Sequence, residues 1–235
     1  MENITLKVVQ TRAHTAGAKT IRLGVKGDIP YKPGQYLLLT LNTGGKDITK
    51  PLSISSSPTE KGYIEFTKKL TGSAFSNAID SAKVGDELSV KMPMGKFIFE
   101  GQFEKAAFLS GGIGITPIRS MIKYASDNKS PSDLSLLYSA RTPEGLLFRD
   151  ELDLMQKANK HLKAIYTITD CGDNIPHCRV GRIDAKMIDT EIPDYRQRRF
   201  FMCGPPAMVS AMRSVLTDRL SVDKSNIFSE DFFGY

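Results

Sequence analysis

Over the first hundred residues, apolar positions come in short runs cut by turn residues. Runs at 4–10, 19–25, 35–41, 63–69 and 87–91 predict strands. Pro33-Gly34, Asn42-Thr43-Gly44-Gly45, Lys61-Gly62 and Val84-Gly85-Asp86 supply the turns. One predicted helix, over 73–81, interrupts the series. Short strands at this spacing predict an antiparallel β-barrel or sandwich. After about residue 100 the texture changes. Apolar runs at 106–110, 134–139, 162–169, 199–203 and 226–229 predict strands. Between them Ile118, Met121, Ile122 and Ala125 recur at helical spacing, as do Met208, Val209, Met212, Val215 and Leu216, and 144–158 is helix-like. Strands alternating with helices predict an α/β domain whose parallel sheet has five strands in the order 3-2-1-4-5. The chain is expected to divide into 1–101 and 102–235, with the boundary near 100–105.

Composition mainly excludes. Lys and Arg outnumber Asp and Glu by 32 to 26 without any long basic tract, which argues against nucleic acid. The three cysteines, Cys171, Cys178 and Cys203, form no C-x-x-C. That argues against a zinc ribbon or a cysteine-ligated iron–sulfur cluster and fits a reducing compartment. Cys171 and Cys178 are read as loop residues. No apolar run approaches the roughly 18 residues of a membrane span, and the first residues lack the apolar core of a signal peptide. The expectation is a cytoplasmic monomer off the membrane. His14, His161 and His177 form no constellation and are read as structural or surface residues.

Chemistry concentrates at two strand-to-helix turns. With the predicted strand order, strands 1 and 4 are neighbours where the winding reverses, and ligands bind outside the carboxyl ends of strands at such a point. The turn after strand 1 reads Ser110-Gly111-Gly112-Ile113-Gly114-Ile115-Thr116-Pro117. Its glycines allow close backbone approach, Thr116 can cap the helix, and Pro117 suits a first helical position. The turn after strand 4, Cys203-Gly204-Pro205-Pro206, follows the same logic. Pro117 stands where a dinucleotide fingerprint would have its third glycine, and no acid ends strand 2, so an ordinary Rossmann dehydrogenase is disfavoured.

From about residue 32 to 235 the chain resembles the ferredoxin–NADP reductase superfamily. The resemblance is carried by KPGQY at 32–36, KPLSISSSP at 50–58, TGSAFSNAI at 71–79, PMGKF at 93–97, GGIGITP at 111–117, CGPPAM at 203–208 and the ending SEDFFGY at 229–235. It implies a flavin-binding barrel followed by a nicotinamide-binding α/β domain. Lys50, Pro51, Leu52 and Ser53 would border the flavin. Lys50 replaces the family's Arg and can pair with a phosphate as a point charge. Leu52 replaces a stacking Tyr, and Ser53 would hydrogen-bond near flavin N5. Ser73, Ala74, Phe75 and Ser76 would open a helix that holds the flavin pyrophosphate. Gly112, Gly114, Thr116, Pro117, Gly204 and Pro205 would hold the nicotinamide dinucleotide, and Cys203 would place its ring. Glu230, just after the last predicted strand, would lie near the nicotinamide or flavin. Phe232, Phe233 and Tyr235 would pack over the flavin or onto the barrel. On the residues alone, 73–76 is equally a helix cap, Cys203 a buried core thiol and Glu230 a solvated carboxylate.

The reaction implied is hydride transfer from NADH or NADPH to FAD, with FMN disfavoured, then single-electron delivery to a separate ferredoxin, flavodoxin or oxygenase. Ser53, Cys203 and Glu230 would be the residues at the reacting atoms. Arg141, after strand 2, and Arg182 suit a 2′-phosphate, whereas Asp170, at the end of strand 3, would repel one. The balance favours NADH. Lys46, Lys68, Lys69 and Lys96 could form a basic rim that steers an acidic acceptor. A free-flavin reductase and a flavin-free binding or regulatory subunit are the alternatives; Lys50 and Leu52 keep the second open.

Overall fold

A computed structural model describes residues 3–27, 29–170 and 176–232. The first sheet holds six antiparallel strands: β1 (Ile4–His14), β2 (Ala18–Gly24), β3 (Tyr36–Thr43), β4 (Lys46–Ser53), β5 (Tyr63–Lys69) and β6 (Glu87–Met94), in the order β4-β3-β6-β1-β2-β5. A bridge from Ile54 to Phe66 joins the residues after β4 to β5, and Ser55 N donates to the Glu65 carbonyl at 2.7 Å. The sheet thereby curls into a barrel. Val8, Ile21, Leu23, Leu37, Leu39, Ile64, Phe66 and Val90 fill it, joined by Phe75 and Ile79 of helix α1 (Ala74–Ser81). Each such burial contributes about 1.5–3 kcal/mol before the entropy of ordering is subtracted. The β3–β4 hairpin turns on Gly44 and Gly45, with φ of 64° and 83°. Two successive positive φ angles define the I′ turn that matches strand twist, and only glycine adopts them without strain.

The second sheet is parallel: β7 (Lys105–Gly111), β8 (Asp133–Ala140), β9 (Leu162–Ile168), β10 (Cys178–Val180), β11 (Arg199–Gly204) and β12 (Ile227–Asp231), in the order β10-β9-β8-β7-β11-β12. Helices α2 (Ile115–Asp127) and α3 (Arg149–Ala158) bury Ile118, Met121, Ile122, Leu152 and Met155 on the side that also takes Phe97 and Phe99. Helices α4 (Ala185–Glu191) and α5 (Pro206–Ser214) bury Ile188, Val209 and Met212 in the opposite cluster. β7, β8 and β11 are covered on both faces. This is why they read as unbroken apolar runs rather than alternating ones.

Three expectations are corrected. The sheet has six strands, because three residues at Cys178 pair with β9; the order of the five predicted strands is retained. β10 is too short and polar to carry a period, and Cys178 belongs to it rather than to a loop. The helix predicted from 144 begins at Arg149, because Leu146, Leu147 and Phe148 turn inward and are buried, Phe148 at φ 61°. The last strand runs on to Asp231, so Glu230 lies within it.

The junction is aromatic. Phe97 and Phe99, from the segment joining the sheets, meet Phe201 at centroid distances of 5.7 and 5.5 Å. Phe99 also meets Phe108 edge-on at 5.4 Å. Such pairs add about 0.5–1.5 kcal/mol beyond their area. Gly34 of the KPGQY turn closes the same junction. At φ 98°, a Cβ there would lie 2.1 Å from the Phe97 carbonyl oxygen and 2.3 Å from Met121 Cε.

Candidate active site

Parallel pairing sets Ser110, Cys203 and Glu230 abreast on β7, β11 and β12. Residues in parallel register point to one face, so the three share the face of Phe108, Phe201 and Phe228, which packs toward the barrel. Ser110 Oγ and Glu230 Oε2 are buried and, among the described residues, stand out as side-chain atoms with no hydrogen-bond partner. Burial pushes the Glu230 carboxyl up to about 7. Burial, reinforced by the Glu230 charge, raises the Cys203 thiol and keeps it protonated. A protonated thiol suits a packing and placing role rather than nucleophilic attack.

Two clefts meet at Ile113. One, of about 510 Å³, is lined by Tyr36, the whole Lys50-Pro51-Leu52-Ser53 run, Thr67, Lys68, Thr116, Glu230, Asp231 and Phe232. The other, of about 550 Å³, takes Gly112, Arg141, Arg182 and Pro205 among its walls, with Lys69 and Ala16 from the barrel. The β7 turn and the β11 turn thus converge, as the strand order predicted, and the β4 end that the family resemblance marked joins them.

The remaining candidates fall in different places. Gly112, at φ 52° with open space where a Cβ would be, faces the second cleft. A Cβ on Gly114 would lie 2.3 Å from the Cys203 carbonyl oxygen, and one on Gly204 would lie 3.2 Å from Gly111 backbone atoms. These two glycines let the turns pack on each other. Thr116 is not the cap, since α2 starts at Ile115 from Gly114. Its hydroxyl donates to the Ile113 carbonyl at 3.0 Å, and Pro117 takes the third helical position. Ser73 caps α1, accepting from Ser76 N, and Ala74 is exposed beside it. Phe75 and Ser76 are buried, and Ser76 Oγ accepts from Thr71 N at 2.8 Å. The Lys50 ammonium lies 5.7 Å over the Phe75 ring, linking the start of α1 to the first cleft. Arg141 and Asp170 pair with each other at 2.6 Å on the surface. Cys171, Phe233 and Tyr235 lie outside the described residues. Phe232 docks, its N–H donating to the Gly204 carbonyl at 3.1 Å.

The clefts fit a flavin and a dinucleotide. The first offers apolar walls, two lysines and an unpartnered buried carboxyl oxygen; the second offers an open glycine turn and two arginines. Sequence reasoning gave Ser110, Tyr36 and Thr67 no role at the site and placed Lys68 on an outer rim. Cross-strand register alone selects Ser110, whereas Tyr36 closes the KPGQY motif and was legible there. Lys68 leaves the proposed basic rim: it is 8% exposed, its ammonium lowered by burial and then by Lys50, whereas Lys69 is exposed and lines the second cleft.

Residues 5–99 match the oxidoreductase FAD-binding domain family and residues 108–214 the oxidoreductase NAD-binding domain family. The glycine betaine monooxygenase reductase subunit of Chromohalobacter salexigens is 31% identical over 208 residues, 86% of this chain and 56% of that protein. NADH-cytochrome b5 reductase 1 of Dictyostelium discoideum is 32% identical over 200 residues, 83% of this chain and 69% of that protein. The fold superimposes on a ferredoxin NADP+ reductase from Neisseria gonorrhoeae, solved with FAD and NADP bound. The TM-score is 0.83 and the identity 19%, over 99% of this chain and 100% of that one. The chain spans just over half the length of the monooxygenase reductase subunits it matches. With both domain families matched, both clefts formed and their order along the chain preserved, this chain belongs to the ferredoxin–NADP reductase superfamily of flavin-dependent oxidoreductases.

Proposed function

We propose that the chain takes a hydride from NADH onto FAD and passes the electrons singly to a protein acceptor, an oxygenase component. The reductase subunit of the monooxygenase relative supports the acceptor class. The observation that carries the reading is the buried row Ser110, Cys203 and Glu230, whose Glu230 lines the first of two clefts that meet at Ile113. FAD supplies the hydride acceptor when bound. The chain's own part is placement and exclusion of water. Lys50 and Lys68 offer positive charge to the flavin's anionic groups, and Leu52 and Pro51 give an apolar wall. Cys203, neutral and fully buried, fixes how deep a planar ring can settle. Glu230, near neutrality at physiological pH, can hold or release a proton beside it.

The Arg141–Asp170 pair supports NADH. Asp170 already neutralises the one arginine at the end of β8, so a 2′-phosphate would meet a carboxylate there. The test is the visible spectrum of the purified protein before and after anaerobic NADH. Flavin bands that bleach are expected. A protein that stays colourless after incubation with FAD would overturn the reading.

A further inference from the structure

Splitting a hydride into two single electrons leaves a proton behind. One NADH and two oxidised one-electron acceptors, such as iron–sulfur or haem proteins, give NAD+, two reduced acceptors and one H+. On the function proposed above, that proton must leave the flavin-side cleft at every turnover. The outer face of the barrel carries a route. Thr67 of β5 lines that cleft. Its Oγ1 lies 2.7 Å from Thr20 Oγ1 on β2, its direct cross-strand partner. Thr20 Oγ1 lies 2.8 Å from His14 Nε2 on β1. Both threonines are 4% exposed, while His14 is half-buried at the surface. Thr20 also lines a separate polar cavity of about 50 Å³ at the domain junction, walled by Arg12, Arg22, Glu65 and Glu151. That volume is large enough for a water molecule, and its lining offers hydrogen-bond partners for one.

We propose that Thr67, Thr20 and His14 form a proton relay from the flavin-side cleft to the barrel surface, with the half-buried His14 as the terminal acceptor and the junction cavity opening beside Thr20. A hydroxyl both donates and accepts. Thr67 Oγ1 takes a proton from the cleft and gives its own to Thr20 Oγ1. Thr20 gives its own to His14 Nε2, and the imidazolium releases one from Nδ1 to water. One O–H bond forms and one breaks at each threonine, so one proton moves and no electrons do. Rotation of the hydroxyls resets the chain. His14 must be neutral to accept. Burial and then the Arg12 charge lower its pKa, opposed by Glu151 of α3; the Phe148 ring edge stands 6.0 Å away, with Arg119 of α2 on the ring's face.

Thr20→Val keeps the shape and removes the link, and Thr20→Ser restores a hydroxyl. In stopped flow, Thr20→Val should leave bleaching of the flavin by NADH within about twofold of wild type. Re-oxidation by ferricyanide should slow about tenfold and lose its pH dependence near the His14 titration, with Thr20→Ser recovering both. A second readout needs no turnover. In the resting protein, ¹⁵N NMR should show that Thr67→Val, which does not touch His14, moves the His14 titration midpoint through the shared hydroxyl. Normal bleaching with wild-type re-oxidation in Thr20→Val, or an unmoved His14 midpoint in Thr67→Val, would overturn the relay alone. A chain whose flavin NADH never bleaches removes the proposed function and the relay with it.

Discussion

The two sides of the domain junction treat polar groups in opposite ways. On the closed side Arg119 of α2 is 3% exposed and fully engaged. It donates to the Ser55 carbonyl at 2.9 Å, to Glu60 at 2.5 and 3.1 Å, and to Glu151 at 2.7 Å. Ser120 Oγ beside it donates to the Ser56 carbonyl at 2.6 Å. Burial would raise the Glu60 carboxyl, but the Arg119 hydrogen bond and charge hold it below the usual carboxylate range. On the open side, Ser110 Oγ and Glu230 Oε2 are equally hidden and have no partner among the described residues. A buried polar group that is satisfied holds a structure together; one left unsatisfied is a cost that function must explain.

The largest expected effect breaks the closed side. Arg119→Ala strands two carboxylates and should cost about 3–5 kcal/mol in denaturant unfolding. A loss below about 1 kcal/mol would show that the pairing is not what clamps the domains. Because the folded Glu60 carboxyl is depressed, its contribution is complete above the unfolded value near 4.5 and disappears as pH falls through the folded one. Wild-type stability should therefore fall in acid more steeply than that of Arg119→Ala.

On the open side the sign reverses. Glu230 is raised from 4.5 to about 7. The unfolded chain ionises first as pH rises, so stability declines between those values. Glu230→Gln should gain up to about 3 kcal/mol at pH 8 and little at pH 4, while slowing turnover about tenfold. A variant destabilised at both pH values would mean that the carboxyl has a structural partner after all.

Smaller changes sharpen the contrast. Gly114→Ala forces a methyl against the Cys203 carbonyl and should cost about 1–3 kcal/mol, read as a lower Tm. Asp170→Arg should raise the kcat/KM for NADPH relative to NADH about tenfold; an unchanged ratio would refute the NADH reading. Arg12→Ala should shift stability by less than about 0.5 kcal/mol, since that ion pair is 3.7 Å long and Arg12 is 61% exposed.

Much of this was legible before any coordinates. Two-residue glycine turns, apolar runs and one-faced helices are local signals, so five of the six barrel strands, five of the six parallel strands and the order of those five followed from them; β4, polar over most of its length, and the three-residue β10 did not. Gly112 and Pro205 lie in turns whose chemistry is also local, Lys50 to Ser53 were marked by the family resemblance, and all of them line the clefts. Other features were illegible for an equally physical reason. Leu146, Leu147 and Phe148 look like the first turn of a helix, but the junction between the domains draws all three inward. Glu230 looks like a solvated acid after a strand, but pairing with β11 carries the strand past it. Lys68 looks like one more surface lysine, but β5 turns it into a cleft.

The sequence by itself determined the two-domain architecture, the parallel order and the residue types at each strand end, because periodicity, turn chemistry and right-handed crossovers act over short stretches. Only the tertiary structure decided which of those residues are paired and which are left wanting. Arg119 and Glu230 are both ionisable residues that the fold buries, and neither shows from sequence which one has partners. Partnership depends on what a distant strand or helix brings within 3 Å, and burial then sets the free-energy cost of each group that has none.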